Sequence, residues 1–177
     1  MTAATVPAAT IAPLAATPET LDALAALLVD VVAGGGSVGF MHPLPVAAAR
    51  AFWERSLAAA ARGERVVLGA YVDGALAATL TLLLDFPPNQ PHRAELGKMM
   101  TAPAHRGRGL ASALIVEAEA LARRHGRDHL MLDTASDGGA SALYERHGFR
   151  LAGEVPGFAL KPHGGLTGTR YYYKRLD

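Results

Sequence analysis

A basic, glycine-rich turn just past the middle of the chain carries the residues needed to hold an anion. Arg106 and Arg108 alternate with Gly107 and Gly109, and a helical pattern of apolar residues begins directly afterwards. Guanidinium groups suit phosphate oxygens, and glycines let a ligand approach the backbone. The first turn of the following helix has unpaired N–H groups at the positive end of its dipole. These residues predict an anion-binding cradle, most simply for a pyrophosphate.

The cradle needs a strand before it and a helix after it. Residues 93–101 are predicted to form the strand. Leu110, Leu114, Ala118 and Leu121 recur at the spacing of one helix face, and Gly126 supplies the helix end. A glycine-rich turn with two solvated arginines is the structural alternative.

Two well-known nucleotide-binding motifs do not fit this turn. The chain has no Gly-x-x-x-x-Gly-Lys-Ser/Thr sequence, which excludes a Walker loop, and a dinucleotide fingerprint would need glycine where Ser112 stands. Asp128 lies at about the right spacing for a ribose-binding acid, but too little chain follows to complete a doubly wound sheet. The Asp73-Gly74 pair also predicts an antiparallel hairpin. A Rossmann-type oxidoreductase is therefore disfavoured.

Composition narrows the class of protein further. The 177 residues are half hydrophobic and carry a net charge of +1, which suits one domain and gives no reason to expect a nucleic-acid or membrane partner. With no cysteine and no histidine pair at ligand spacing, we expect no disulfide, cysteine nucleophile or metal site. The chain has no membrane-spanning run or basic signal region, so the cytoplasm is the expected location.

The whole chain is predicted to form one α/β domain. Residues 1–8 are expected to be a flexible tail and residues 9–177 the domain. The element order β-α-α-β-β-β-α-β-α-β-β predicts a mixed sheet with helices on both faces. Residues 156–168 are predicted to be a long loop before a last strand at 169–174.

The turn sequence resembles a known superfamily. Arg106-Gly107-Arg108-Gly109-Leu110-Ala111 matches the Arg/Gln-x-x-Gly-x-Gly/Ala signature of the GNAT superfamily of N-acetyltransferases. Residues 95–100 and 142–149 resemble other hallmarks of that superfamily. The chain is most similar to its tabtoxin-resistance branch, through residues 36–40, 88–93, 132–134, 156–160 and 171–174. The resemblance implies a single-domain GNAT-like fold with a mostly antiparallel central sheet.

The resemblance implies acetyl-CoA as the acyl-donor co-substrate, without a metal. Backbone amides near the end of the strand would pair with the pantetheine arm, and the cradle would hold the pyrophosphate. Many members have an asparagine before their tyrosine helix, but residues 134–139 contain none. The predicted cofactor-binding residues are Met99, Met100, Thr101, Arg106, Gly107, Arg108, Gly109, Leu110, Ala111 and Ser112.

Three residues are predicted to be catalytic. An alkyl ammonium has a pKa of about 10, so a base must take a proton from the attacking amine. Glu95 and Asp133, in the strands on either side of the cradle helix, are the candidate bases, acting as a pair through water. Tyr144 falls at the tyrosine position of the family motif and is the candidate acid for the leaving thiolate. The alternatives are a surface ion pair for Glu95, a turn cap for Asp133 and a packing role for Tyr144.

An apolar loop at residues 37–45 is predicted to lie beside the acceptor, as the resemblance implies. Ser37, Phe40 and Trp53 from this region, with Asn89 and His92 from a proline-rich loop, are the predicted substrate-binding residues. Core packing is the alternative for Phe40 and Trp53, and exposed turn positions are the alternative for Asn89 and His92. The implied acceptor is a small-molecule amine, with tabtoxinine-β-lactam and similar antibiotics as examples. A homodimer remains open, as does a non-catalytic acyl-CoA-binding module.

Overall fold

A seven-stranded sheet organises residues 9–177, which are the residues described by the computed structural model. The predicted tail of residues 1–8 lies outside the described residues. The strands run in the order β1-β2-β3-β4-β5-β7-β6. The elements along the chain are β1 (Thr10–Pro13), α1 (Pro18–Ala33), α2 (Val46–Ala61), β2 (Arg65–Val72), β3 (Ala75–Leu83), β4 (Arg93–Thr101), α3 (Leu110–Arg124), β5 (His129–Ala135), α4 (Ser141–Arg146), β6 (Arg150–Leu160) and β7 (Leu166–Arg175).

Helices cover both faces of this sheet, as predicted. The core of one face is formed with α1 and α2 and includes Leu24, Leu28 and Trp53. The core of the other face is formed with α3 and includes Leu114 and Ile115. Among residues 9–177, only β4 and β5 pair in parallel, so the predicted mixed and mostly antiparallel α/β fold is confirmed. No helix among residues 9–177 is long and apolar enough to cross a membrane.

Local sequence signals account for several element ends. The Thr17 side chain accepts a hydrogen bond of 3.2 Å from the backbone N–H of Thr20 and so caps α1. Asp73 and Gly74 both have positive φ, 51° and 80°, which is the geometry of a tight hairpin turn between β2 and β3. These short-range signals fix where the main elements begin and end.

The parallel strands β4 and β5 are paired along only part of their length and then separate. Only residues 93–95 of β4 pair with residues 129–131 of β5, although the strands continue to Thr101 and Ala135. Beyond the paired segment, the facing edges have no strand between them. The sheet is therefore split open on the side where β4 leads into the glycine-rich turn.

A β-bulge interrupts β4 beside this opening. The pairing of β3 with β4 shifts by one residue between Thr79 and Thr81, so that Lys98 and Met99 together lie opposite Leu80. Lys98 has a φ of 50°, a left-handed conformation that is uncommon for a residue with a side chain. Such bulges redirect side chains and often lie next to active sites.

The prediction of a long loop at residues 156–168 is wrong. The strand β6 continues to Leu160, and the connection to β7 spans only residues 161–165. Pro156 is accommodated because the β6–β7 pairing is irregular between Val155 and Ala159, and β6 is an edge strand. At such a position a missing backbone N–H costs no ladder hydrogen bond.

Candidate active site

The turn before α3 has the open backbone expected of an anion cradle. Gly107 and Gly109 have φ values of 73° and 78°, and a Cβ atom added to either would meet nothing within 4 Å. No side-chain hydrogen bond caps the N-terminus of α3 in the described part of the chain. The first N–H groups of the helix, at Leu110, Ala111 and Ser112, are therefore available to an anionic ligand.

Both arginines of the turn are exposed beside this backbone. The Arg106 guanidinium donates a long hydrogen bond of 3.4 Å to the backbone oxygen of Thr101. Arg108 makes no ion pair with any residue in 9–177. Neither cation is committed to a carboxylate, so both can turn toward phosphate oxygens.

The split between β4 and β5 leads from the cradle into the sheet. Met99 packs against the core under α3, and Met100 is buried in the core under α1 and α2. Their side chains serve packing, so the ligand contacts predicted for Met99, Met100 and Thr101 fall on backbone groups. Those groups line the unpaired edge of β4, where an extended ligand can replace the missing strand.

Asp133 lies on the opposite side of the split. It is exposed, and it lies two residues before the end of β5 rather than at the strand end that the sequence predicts. One carboxylate oxygen accepts a hydrogen bond of 2.8 Å from the hydroxyl of Thr169. Tyr171 is its cross-strand partner on β7. This contact fixes the direction of the carboxylate and leaves its other oxygen open.

Glu95 occupies the last residue pair before the strands separate, opposite Met131. Its carboxylate accepts a hydrogen bond of 2.6 Å from Arg93, and Arg93 also stacks on the ring of Phe86 with its Cζ atom 4.3 Å from the centroid. The ion-pair alternative for Glu95 is therefore present in the structure. A catalytic role for Glu95 would have to use the oxygen that Arg93 does not hold.

Tyr144 lies under the other face of the sheet, in the short helix α4. It is 7% exposed and packs between Phe149 and Tyr172, with ring centroids 6.0 and 6.1 Å away. Burial, and secondly the negative charge of Asp133, raise the pKa of the Tyr144 phenol to about 12. The hydroxyl has no hydrogen-bond partner among the described residues. It is thus a protonated donor at neutral pH, although a weaker acid than an ordinary tyrosine.

The apolar loop at residues 37–45 is hydrogen-bonded to the tip of the β6–β7 hairpin, at residues 161–165. The backbone N–H of His42 donates to the backbone oxygen of Pro162 at 2.9 Å, and the His163 ring lies 2.9 Å from the backbone oxygen of Ala33. The His42 and His163 rings are 4.6 Å apart. The hairpin therefore arches from the sheet edge to the loop and encloses the α1–α2 face of the split.

Only part of the predicted acceptor set faces this enclosure. Phe40 packs edge-on against Phe52 at 5.2 Å, and Ser37 is exposed in the loop. Trp53 is completely buried in the core and touches Phe52 from behind at 5.0 Å, so it supports the pocket wall instead of forming it. The core alternative is the better description of Trp53.

Asn89 and His92 lie at the N-terminal end of β4, away from the loop. Both are exposed, and the His92 ring faces His129 at 6.1 Å. At about 3.3 Å per residue of strand, His92 is on the order of 20 Å from Lys98 along the chain. No hydrogen bond within residues 9–177 links the Asn89 or His92 side chain to the loop. The structure does not bring these two residues together with Phe40.

Three further side chains on this face were not identified from the sequence. Lys98 projects from the bulge of β4, Phe52 comes from α2, and Phe158 packs edge-on against Tyr171 at 6.2 Å. Phe158 is 51% exposed on β6, an edge strand whose residues are all exposed. The positions of these side chains depend on strand register and on packing between elements, for which the sequence has no signal.

The turn after β5 contacts the β6–β7 hairpin next to its tip. Asp137 accepts hydrogen bonds from Thr167 at 2.7 Å and from Lys161 at 3.1 Å, and these two contacts lower the pKa of the Asp137 carboxyl. The backbone N–H of Ser136 donates to the backbone oxygen of Gly168. This turn lacks the asparagine that many members of the resembling superfamily have, and its polar groups form hydrogen bonds to the hairpin. No cluster of metal-ligating side chains occurs in residues 9–177.

Comparisons with known proteins agree with this geometry. A family model described as "Acetyltransferase (GNAT) family" matches residues 38–149. An N-acetyltransferase from Staphylococcus aureus Mu50 is similar at 21% identity and a TM-score of 0.80, covering 96% of this chain and 99% of its own.

Two other solved structures are similar over comparable lengths. A ribosomal-protein-alanine N-acetyltransferase from Brucella melitensis has 23% identity and a TM-score of 0.80, over 94% of this chain and 99% of its own. The structure of yncA from Salmonella typhimurium with its cofactor acetyl-CoA has 20% identity and a TM-score of 0.78, over 96% and 94%. At these identities the structures share the fold.

Proposed function

The chain belongs to the acetyltransferase (GNAT) family, whose members transfer an acyl group from acetyl-CoA, and from this premise we propose that it acetylates the amine of a small molecule. The acceptor amine attacks acetyl-CoA directly while both are bound. The observation that carries the proposal is the split between β4 and β5, which runs from an open anion cradle to the Asp133 carboxylate. A non-catalytic acyl-CoA-binding module would need the cradle but not the acid.

The residues of the cradle fit acetyl-CoA. Gly107 and Gly109 leave the backbone uncovered, the α3 N-terminus has free N–H groups, and two exposed arginines flank the turn. A pyrophosphate there would gain backbone hydrogen bonds and charge neutralisation together. The unpaired edge of β4 would hold the pantetheine arm. When bound, acetyl-CoA supplies an activated thioester, so no acyl-enzyme is required.

We propose that Asp133 is the principal base. Its carboxylate is exposed on the unpaired part of β5 and is oriented by Thr169. Glu95 shares its charge with Arg93 at 2.6 Å, which favours a supporting role through an intervening water. An ammonium gives its proton to a nearby carboxylate only transiently. The base therefore acts by holding that proton while the neutral amine attacks the thioester.

The Tyr144 hydroxyl is proposed to donate to the departing thiolate. Its unpartnered hydroxyl and its low exposure suit a donor in a dry site. A free thiol has a pKa of about 8.5, and burial that raises the phenol pKa also raises that of a thiol in the same place. A hydrogen bond from the phenol stabilises the sulfur as it gains charge, and full proton transfer requires that the same burial raise the thiol pKa toward that of the phenol.

We propose a small, amino-acid-like acceptor such as a tabtoxinine-β-lactam type antibiotic. The enclosure is formed by Phe40, Phe52, Phe158 and the hairpin tip, and its aromatic rings suit a compact molecule. The described residues on this face include no extended acidic or basic stripe that would suit a peptide. A role in antibiotic resistance in the cytoplasm would follow from such an acceptor.

Calorimetry with acetyl-CoA, CoA and NAD is the first test. Binding of acetyl-CoA and CoA but not NAD supports the cradle, and thiol release with an amine panel then supports catalysis. Binding without thiol release for any amine would point to the non-catalytic module. Binding of NAD alone would contradict the proposal.

A further inference from the structure

Lys98 occupies an unusual position at the split in the sheet. It lies in the β4 bulge together with Met99 and holds a φ of 50°. A non-glycine residue in this region is strained. Its ammonium reaches the α1–α2 face, where it lies 5.7 Å from the centroid of the Phe52 ring. This is the face opposite α3, so Lys98 points away from the helix that follows the cradle.

The ammonium is enclosed without a carboxylate partner. Lys98 forms no ion pair with any residue in 9–177. Burial lowers its pKa, the positive charge of Arg65 lowers it further, and Asp133 opposes this effect. A Cβ atom added to Gly39, in the apolar loop, would lie 3.5 Å from the Lys98 Nζ atom. The loop therefore closes directly over this cation.

Two opposite charges thus face one enclosure without touching each other. Asp133 acts across the enclosure on Lys98, yet their charged atoms do not come within the 4.0 Å of an ion pair. The Phe52 ring lies beside the Lys98 ammonium, and Tyr171 is the cross-strand neighbour of Asp133. A carboxylate bound to a buried cation can offset its desolvation when the geometry and the hydrogen bonds are good. The arrangement is complementary to a molecule with an ammonium at one end and an anion at the other.

We propose that Lys98 binds a carboxylate of the acceptor, so that the acceptor is an amino acid or amino-acid-like zwitterion whose amine is directed at Asp133. This inference rests on the proposed function and names the substrate class and a specificity-determining residue. The loop backbone at Gly39 borders the Lys98 ammonium, and the bulge directs the side chain to this face.

The test uses ω-amino carboxylic acids from glycine to 6-aminohexanoate and the primary amide of each. Thiol release from acetyl-CoA gives kcat/KM for every acceptor with the full-length protein. A hydrogen bond to a charged group contributes enough to change kcat/KM about ten- to a hundredfold. We expect wild type to favour the best carboxylate over its amide by this factor, and the chain length of that acceptor to report the distance between the two charges.

Three variants isolate the charge of Lys98. Lys98→Met keeps the length of the side chain and the same backbone strain, and it should reduce the carboxylate preference to about unity. Lys98→Arg should retain most of it. Arg123→Met removes an exposed cation from the last turn of α3, on the other face of the sheet, and it should leave the preference unchanged. Acetyl-CoA affinity and the melting temperature are measured for all three variants. For Lys98→Met, both should match those of wild type.

The outcomes separate this inference from the proposed function. Turnover of amines without any preference for the carboxylate, or a preference that survives in Lys98→Met, overturns the role of Lys98 and leaves acetyl transfer intact. A large loss of acetyl-CoA affinity in Lys98→Met also overturns it, because Lys98 would then belong to the cofactor site. Absence of turnover with every amine overturns both.

Discussion

Replacing Tyr144 by phenylalanine removes one oxygen atom and little else. The ring packs between Phe149 and Tyr172 at 6.0 and 6.1 Å, and phenylalanine keeps both contacts. The hydroxyl has no partner among the described residues, so its loss forfeits no hydrogen bond. We therefore expect the melting temperature of Tyr144→Phe to stay close to that of wild type.

The expected effect of Tyr144→Phe is on the rate of the chemical step. A positioned general acid contributes about 10²- to 10⁴-fold. The pKa of Tyr144 is raised to about 12 by burial and by Asp133; since each unit is about 1.4 kcal/mol, the phenol is a weaker acid than an ordinary tyrosine by about 3 kcal/mol. We expect kcat to fall at the low end of the range, about a hundredfold, with acetyl-CoA affinity unchanged.

The assay follows thiol release with saturating acetyl-CoA and the best amine of the panel, and calorimetry checks cofactor affinity. Because the phenol keeps its proton up to a pKa of about 12, kcat of wild type should show no alkaline fall near pH 10. Unchanged kcat in Tyr144→Phe, with chemistry shown to be rate-limiting by a single-turnover measurement, would refute the acid role. A fall in acetyl-CoA affinity would mean that the hydroxyl binds the cofactor.

The same pKa has a consequence for stability. A phenol with a raised folded-state pKa stabilises the fold fully below the unfolded value, about 10, and this contribution is lost as pH rises toward the folded value of about 12. The free energy of unfolding of wild type, relative to Tyr144→Phe, should therefore decrease between about pH 10 and pH 12 in urea titrations. An equal pH dependence for both proteins would show that Tyr144 is not desolvated in the folded state.

Three further substitutions test the cradle, the base and the hairpin. Gly109→Glu should weaken acetyl-CoA binding at least tenfold, about 1.4 kcal/mol or more, because it places a negative charge at the pyrophosphate site. The calorimetric control is Gly126→Glu, at an open left-handed glycine just after the other end of the same helix. This control should bind acetyl-CoA normally. Asp133→Asn should lower kcat/KM about 10²-fold or more in the thiol-release assay while still accepting the Thr169 hydrogen bond, and near-normal activity would assign the base elsewhere. Gly168→Ala should lower the melting temperature by several degrees, since the new Cβ would lie 3.0 Å from the Val155 backbone oxygen and such overpacking costs about 1–3 kcal/mol. Gly153→Ala, with nothing within 4 Å, is its control, and equal melting temperatures would count against the close packing.

The tertiary structure changes the interpretation of two candidate residues. Glu95 is held by Arg93, a contact that the sequence allows but does not require. Trp53 is an aromatic residue on the amphipathic helix α2, which suits a pocket wall, yet its side chain is completely buried. The Arg93 contact is local to β4, whereas the burial of Trp53 comes from packing between elements, which residue type and spacing do not report.

Short-range patterns in the sequence determined the order of the elements, the hairpin at Asp73 and the open turn at Gly107 and Gly109, because each depends on residues within a few positions of one another. The separation of β4 from β5, the bulge at Lys98 and the raised pKa of Tyr144 were decided only by the tertiary structure. These features arise from strand register and burial, which are set by contacts between residues far apart in the chain. The cradle was therefore predictable from the sequence, and the enclosure around Lys98 was not.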